Sequence, residues 1–290
     1  MTRIIETLDD ISAPYDALFC DLWGCLHDGQ KAFPQAVSAL QRFRQGGGAV
    51  ILVTNSPRPR RHVRGQLDTL GVPRDCYDDI ASSGDAAQDA MASGMFGRRV
   101  YHLGPERDEG FFVDEDGTPI DVERVPLDEA EGIVCTGLVD DRTETPEDYR
   151  LTIRTGVNRG LKLLCANPDI VVDVGDQRIY CAGAIARAYT EAGGESHYFG
   201  KPHAPIYQLA RRRLEAARGE VSDDAILALG DGIDTDIRGG VGEGLDTLFI
   251  AGGLAAEETG MADGRPDPDR LERFLSGAGL SPTASIGFLR

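Results

Sequence analysis

With 290 residues, 41% of them hydrophobic and 27% charged, the chain is long enough for a substantial core, as one large domain or two smaller ones. Its formal net charge of −18 argues against nucleic acid or an anionic membrane as partner, because phosphate polyanions would be repelled. A small phosphorylated ligand stays compatible with that charge, since a few local cations and a metal override the global field.

Ala17-Leu18-Phe19-Cys20 is a short apolar run of the kind a fully buried strand needs, and it ends abruptly in Asp21. Gly24 then lets the backbone turn tightly. Pro34 to Gln45 reads as a helix stopped by Gly46-Gly47-Gly48, and Ala49 to Val53 as a second buried strand ending at Thr54-Asn55-Ser56. Arg60 to Leu70 follows as a helix stopped by Gly71. A second alternation starts near Gly84, with strands at Val100 to Leu103 and Gly132 to Cys135. Between them, Asp108 to Leu127 is charged and loop-like, a hairpin or an irregular connection. Glu147 to Asn158 reads as helix, Leu161 to Cys165 as strand and Ala182 to Ala192 as helix. His197 to Phe199 leads to Gly200-Lys201-Pro202, and Ala204 to Ala217 is a helix. Ala225 to Leu229 is a strand delivering Gly230-Asp231 and, further on, Asp234, Thr235 and Asp236. Thr247 to Ile250 is a strand, and Leu271 to Leu275 belongs to a closing helix.

This alternation is the signature of a parallel α/β sheet. The simplest architecture is a discontinuous core domain, residues 1–83 and 196–290, with a second α/β domain, residues 84–195, inserted in its middle. No N-terminal stretch reads as a signal peptide, and no apolar run approaches a membrane span. The six cysteines (Cys20, Cys25, Cys76, Cys135, Cys165 and Cys181) show neither C-x-x-C spacing nor a paired framework. Most sit in apolar runs, so buried reduced thiols and a cytoplasmic protein are expected.

Asp21, Thr54, Lys201 and the pair Asp231 and Asp236 all follow strands or precede helices, and a glycine stands beside three of these four positions. Taken singly, each is as readily a turn, a cap or a solvated residue. Taken together they suit phosphoryl chemistry. A phosphoryl group repels an attacking carboxylate, so Asp21 as a nucleophile needs Mg²⁺ to screen it. Asp21 and Asp231 supply carboxylates for a hard octahedral cation, and the main-chain carbonyl of Trp23 a third ligand. The Thr54 hydroxyl and the amides of Asn55 and Ser56 hold phosphate oxygens, and Lys201 adds a point charge.

In these motifs, Asp21-Leu22-Trp23-Gly24, Thr54-Asn55, Gly200-Lys201-Pro202 and Gly230-Asp231…Thr235-Asp236, the sequence resembles the haloacid dehalogenase superfamily, in its class IIA phosphatase branch. The resemblance covers nearly the whole chain. It implies a Rossmann-like parallel sheet core with an inserted α/β cap, and the resemblance alone suggests a homodimer through the cap. It implies an aspartyl-phosphate on Asp21, Thr54 and Lys201 around the phosphoryl group, and Asp231 on Mg²⁺. Asp236 would be a metal partner through water or through another ligand, with Asp234 a weaker candidate for the same job. Asn167-Pro168-Asp169 matches the cap segment that reaches toward substrate, and Arg58 and Arg60 are candidates to touch an anionic substrate.

The sequence departs from that family at Trp23, where an aspartate ordinarily protonates the leaving oxygen and activates water. Indole does neither. Three explanations stand open: an acid from elsewhere, with His27 and Asp28 nearest; a substrate whose leaving group needs no proton; or a phosphometabolite sensor with weak or no turnover. The expectation is a Mg²⁺-dependent phosphatase of a small phosphorylated metabolite, with the sensor as the alternative.

Overall fold

The computed structural model describes residues 2–174 and 177–290. By contact density the chain divides into one unit of residues 1–54, 64–81 and 207–290 and a second of residues 55–63 and 82–206. The segments 55–63, 82–83 and 196–206 thus group with the second unit, whereas the sequence pattern had attached them to the core. The Asn55 side chain contributes to this grouping, since it bonds to the Lys201 main chain and to Asp169.

The first unit is built on a seven-stranded sheet in the order Arg3–Ile5, Ala284–Ile286, Asp246–Ile250, Ile226–Gly230, Ala17–Cys20, Ala49–Thr54, Asp79–Ser82. The pairings from Arg3–Ile5 through Ala49–Thr54 are all parallel. Every residue of Ala17–Cys20, Ala49–Thr54 and Ile226–Gly230 is buried, as strands covered on both faces must be. The register sets Cys20 between Leu52 and Leu229, so the three strands end level with one another. From Ala17–Cys20 the early chain winds outward on one side, while the late chain starts at Ile226–Gly230 on the other. Asp21 therefore stands at the switch point of the strand order, where open α/β sheets form a crevice.

The helices begin and end where local chemistry dictates. Pro34 opens Pro34–Gln45 at its first turn and Asp267 caps Pro268–Ala278 by accepting the Arg270 N–H. Gly279, at φ 67°, closes the latter in the left-handed region. A core cluster of Ile237, Phe249, Ala251, Ala255, Leu271 and Leu275 packs this last helix onto the sheet.

The second unit carries a five-stranded sheet in the order Glu195–Tyr198, Lys162–Cys165, Gly132–Cys135, Arg99–Leu103, Glu123–Arg124, parallel throughout. Helices Arg150–Asn158 and Ala182–Glu191 cover it, and Ile133, Leu163, Ile185 and Tyr189 are at the centre of its core. An antiparallel pair, Val171–Val174 with Gln177–Tyr180, stands apart from that sheet. The α/β class, with a largely parallel sheet in each unit, is thus as the sequence implied. No helix among the described residues is long and apolar enough to cross a membrane.

Candidate active site

Within the first unit, three adjacent strands end in Asp231, Asp21 and Thr54, which are 4%, 7% and 4% exposed. One carboxylate oxygen each from Asp21 and Asp231, with the Cys25 sulfur, lie within 4.8 Å of one another. Gly24, at φ 72°, allows this approach. A Cβ placed on Gly24 would stand 2.0 Å from Asp231 Oδ2, and one on Gly253 would stand equally close at 2.0 Å. The Asp231 carboxylate thus fills a cradle that two glycines leave open, and it accepts the Leu254 N–H at 2.9 Å. Gly252-Gly253 went unmarked in the sequence, although a glycine pair just beyond a strand was the available signal.

The residues fit a hard divalent cation. Two carboxylates out of water at this separation repel each other unless a positive charge sits between them. Among the described residues no hydrogen bond engages the Trp23 main-chain carbonyl, so a third oxygen ligand remains available on the same turn. The field is felt by Cys25, whose thiol is pushed well above its ordinary range by burial, then by the charges of Asp231 and Asp21. The Cys25 thiol donates weakly to Asp21 Oδ2 at 3.8 Å. A buried thiol held in this way suits a packing role.

Asp236 is buried, and its Oδ2 accepts the Gly232 N–H at 3.1 Å and the Thr235 hydroxyl at 3.2 Å. It thereby holds the turn that carries Asp231. Asp234 faces outward and pairs with Arg238 at 2.7 Å, away from the carboxylate pair. The Trp23 indole folds back on its own loop: its ring lies against Gly29, and it meets His27 edge-on with ring centres 5.2 Å apart. His27 is 1% exposed, and its Nδ1 accepts the Gly29 N–H at 3.1 Å. Burial lowers its pKa from 6.5 to about 4, against a small opposing pull from Asp28. Asp28 is exposed, and its Oδ1 accepts the N–H groups of Gln30 at 2.9 Å and Lys31 at 2.8 Å, which holds its carboxyl below the usual range. At neutral pH His27 is therefore the neutral imidazole, its one proton on Nε2, and Asp28 is the carboxylate.

In the second unit, Asn55 organises the other candidates. Its Oδ1 accepts the Lys201 N–H at 2.7 Å, while its Nδ2 donates to the Lys201 carbonyl at 3.1 Å and to Asp169 Oδ1 at 2.8 Å. Asn167 Oδ1 accepts the Asp169 N–H at 3.0 Å, so Asn55, Asn167, Asp169 and Lys201 form one network. Gly200 and Gly183 admit it. A Cβ on Gly200 would lie 2.4 Å from Asn55 Oδ1, and one on Gly183 would lie 2.1 Å from the Pro168 carbonyl. The Asn55 side chain is thus engaged with Lys201 and Asp169, a partnership separate from the amide that the sequence offers to a phosphate oxygen.

The Ser56 hydroxyl accepts the Arg58 N–H at 3.2 Å. The Arg58 guanidinium comes within 3.9 Å of the buried Asp108, whose carboxyl is raised by burial despite Arg58 and Arg107. Arg60 is turned elsewhere, to an ion pair with Glu115, while its N–H binds Asp85 at 3.0 Å.

Residues 18–116 match a family described as haloacid dehalogenase-like hydrolase, and residues 198–273 one described as HAD-hydrolase-like. Over 99% of this chain and 100% of the other, the structure superposes on a haloacid dehalogenase-like hydrolase from Brucella suis 1330, with TM-score 0.85 and 45% identity. The 5'-nucleotidase YutF of Bacillus subtilis is 25% identical over 84% of this chain and 90% of its own length. An acid sugar phosphatase of Staphylococcus saprophyticus is 26% identical over 84% of this chain and 89% of its own length. The motif resemblance read from the sequence is borne out, and this chain belongs to the haloacid dehalogenase-like hydrolases.

Proposed function

We propose that the chain is a Mg²⁺-dependent phosphatase of small phosphorylated metabolites, acting through an aspartyl-phosphate on Asp21. The observation that carries this reading is the pairing of Asp21 and Asp231, two buried carboxylates at the ends of adjacent parallel strands. When bound, Mg²⁺ screens the phosphoryl charge from the attacking carboxylate. Asp21 attacks phosphorus, Thr54 and Lys201 hold the phosphoryl oxygens, and Asp231 with the Trp23 carbonyl holds the cation. Asp236 fixes the turn bearing Asp231. Asn55 and Asn167 set the positions of Lys201 and Asp169, and Asp169, Ser56 and Arg58 serve the substrate side. The relatives named as a 5'-nucleotidase and an acid sugar phosphatase support phosphate monoesters as the substrate class.

Turnover of a panel of sugar, nucleoside, aryl and acyl phosphates, with and without Mg²⁺, tests the reading. Wild-type protein is expected to release phosphate only with the metal, and Asp21→Asn to release none. Absence of turnover across the panel at high enzyme concentration sinks the proposal. Trp23 favours a second reading, a phosphometabolite sensor. Ligand binding that survives in Asp21→Asn, beside a wild type without turnover, selects the sensor.

A further inference from the structure

We infer that the enzyme is built for activated phosphates, whose leaving group departs as a stable anion, and that its aspartyl-phosphate accumulates during turnover. Acyl, enol and aryl phosphates share that leaving-group chemistry. The inference rests on the phosphatase reading above and concerns the same site.

The segment that carries the nucleophile supplies no proton for a leaving oxygen. Trp23, two residues beyond Asp21, has an indole N–H that does not titrate, and its ring is fixed by Gly29 and His27. The Cys25 thiol is fully buried and directed at Asp21 Oδ2 itself, not at a departing group. The His27 ring is buried, with Nδ1 occupied by the Gly29 N–H. The Asp28 side chain is turned back to the main-chain N–H groups of Gln30 and Lys31. On the neighbouring strand end, Asp231 Oδ2 accepts the Leu254 N–H, and Asp236 Oδ2 accepts the Gly232 N–H and the Thr235 hydroxyl, which spends these oxygens on holding the turn.

Two consequences follow from elementary chemistry. In the first step an Asp21 oxygen bonds to phosphorus, the bond from phosphorus to the leaving oxygen breaks, and its electron pair goes with that oxygen. An alkoxide made this way is too basic to leave well without a proton, and the missing acid costs about 10²–10⁴-fold in rate. A carboxylate, enolate or phenolate leaves without one. In the second step water attacks phosphorus, the bond to Asp21 breaks and returns the carboxylate, and the water's proton passes to solvent or to the departing phosphate. A side chain placed to donate a proton in the first step would accept one from water in the second, and its absence slows that step too. With an activated substrate, formation of the phosphoenzyme outruns its hydrolysis.

The test uses the full chain with Mg²⁺ and a series of substituted phenyl phosphates, with acetyl phosphate and glycerol phosphate as outer members. The rate of phosphoenzyme formation is expected to rise steeply with leaving-group acidity. Glycerol phosphate should turn over at least about 10²-fold more slowly than phenyl phosphates. Rapid quenching should show a burst of phenol approaching one per active site, with hydroxylamine-sensitive phosphate on Asp21. A flat dependence on leaving group, glycerol phosphate within a few-fold of the phenyl series, or no burst overturns the inference while leaving the phosphatase reading intact. No turnover of any member, acetyl phosphate included, overturns the phosphatase reading instead. Trp23→Asp, in protein with unchanged circular dichroism, should flatten the dependence and shorten the burst; an unchanged slope in that folded variant also counts against the inference.

Discussion

The side-chain amide of Asn55 pairs with the main chain of Lys201 as one strand residue pairs with another, accepting its N–H at 2.7 Å and donating to its carbonyl at 3.1 Å. A side chain 146 positions away in sequence therefore sets where the Lys201 ammonium begins its reach. Asn55→Ala removes these bonds and the one to Asp169, and leaves buried partners unsatisfied at about 1–3 kcal/mol each. The expected outcome is a lower melting temperature and a large loss in kcat, because Lys201 loses its anchor. Asn55→Asp should be worse than Asn55→Ala, since its carboxylate would face Asp169 Oδ1 and the Lys201 carbonyl where Nδ2 now donates. Equal kinetics for wild type and Asn55→Ala would show that Lys201 does not depend on this pairing.

The two glycines around Asp231 offer a cleaner probe of the proposed metal site than any ligand substitution. Gly253→Ala adds only a methyl group, at a position without positive φ, yet that methyl would stand 2.0 Å from Asp231 Oδ2. Displacing a packed group in this way costs about 1–3 kcal/mol, or roughly ten- to hundredfold in Mg²⁺ affinity. Calorimetric titration with Mg²⁺ reads it directly. Gly24→Ala should lose more, because its φ of 72° adds backbone strain to the same contact. Unchanged affinity in both variants would move the metal away from Asp231.

Where local pattern and burial coincide, the sequence already contained the fold. Helix Pro34–Gln45 and strands Ala17–Cys20 and Gly132–Cys135 occupy the positions their apolar runs and flanking glycines mark. Strands Arg3–Ile5 and Ala284–Ile286 carry no comparable signal. Each has three residues; Arg3–Ile5 pairs with chain from the opposite end of the sequence, and Ala284–Ile286 lies between it and Asp246–Ile250. Helix Ser83–Ala92 escaped because SGDAAQDAMA reads as a polar, small-residue stretch; Ser82 starts it by accepting the Asp85 N–H. At the candidate site, Asp21, Thr54 and Asp231 were visible because each stands at a strand end, and Asp231 beside a glycine as well. The duties of Asn55 and Gly253 were not, because they depend on partners that only folding brings near. Trp23 was visible as a departure, but its packing on Gly29 was not.

Two imidazoles, His27 buried and His102 half-buried, make acid stability a testable property. Burial lowers His27 from 6.5 to about 4 against the pull of Asp28, and His102 from 6.5 to about 4 by burial aided by Arg124 and opposed by Glu109. A histidine with a depressed folded pKa binds its proton better in the unfolded chain. Its contribution is therefore complete above pH 6.5 and is lost as pH falls from there toward about 4. The loss reaches about 3 kcal/mol for each ring at the acid end of that window. His27→Gln and His102→Gln should each narrow their stability gap to wild type as pH falls from 7 to 4, measured by urea unfolding at each pH. Carboxylate titrations common to both proteins cancel in that difference. A gap that widens on acidification would mean that the rings are charged.

Cys135 and Cys165 lie directly opposite each other on neighbouring parallel strands, a placement that by Cα spacing alone would admit a disulfide. Their chemistry points the other way. Both are wholly buried, and each thiol donates to a main-chain carbonyl two residues onward, Cys135 to Gly137 at 3.8 Å and Cys165 to Asn167 at 3.2 Å. Burial pushes Cys135 up to about 12 and Cys165 well above its ordinary value, so neither forms the thiolate that exchange requires. Burial likewise raises Cys76 to about 11 and raises Cys25 and Cys181. Native protein should therefore show almost no reaction with a thiol reagent at neutral pH, and all six thiols should react once it is unfolded in guanidinium. Mild oxidants should leave Cys135 and Cys165 unlinked by mass spectrometry. Rapid labelling of any thiol in the native state, or a Cys135–Cys165 cross-link formed without unfolding, would show that this part of the sheet opens far more readily than its packing implies.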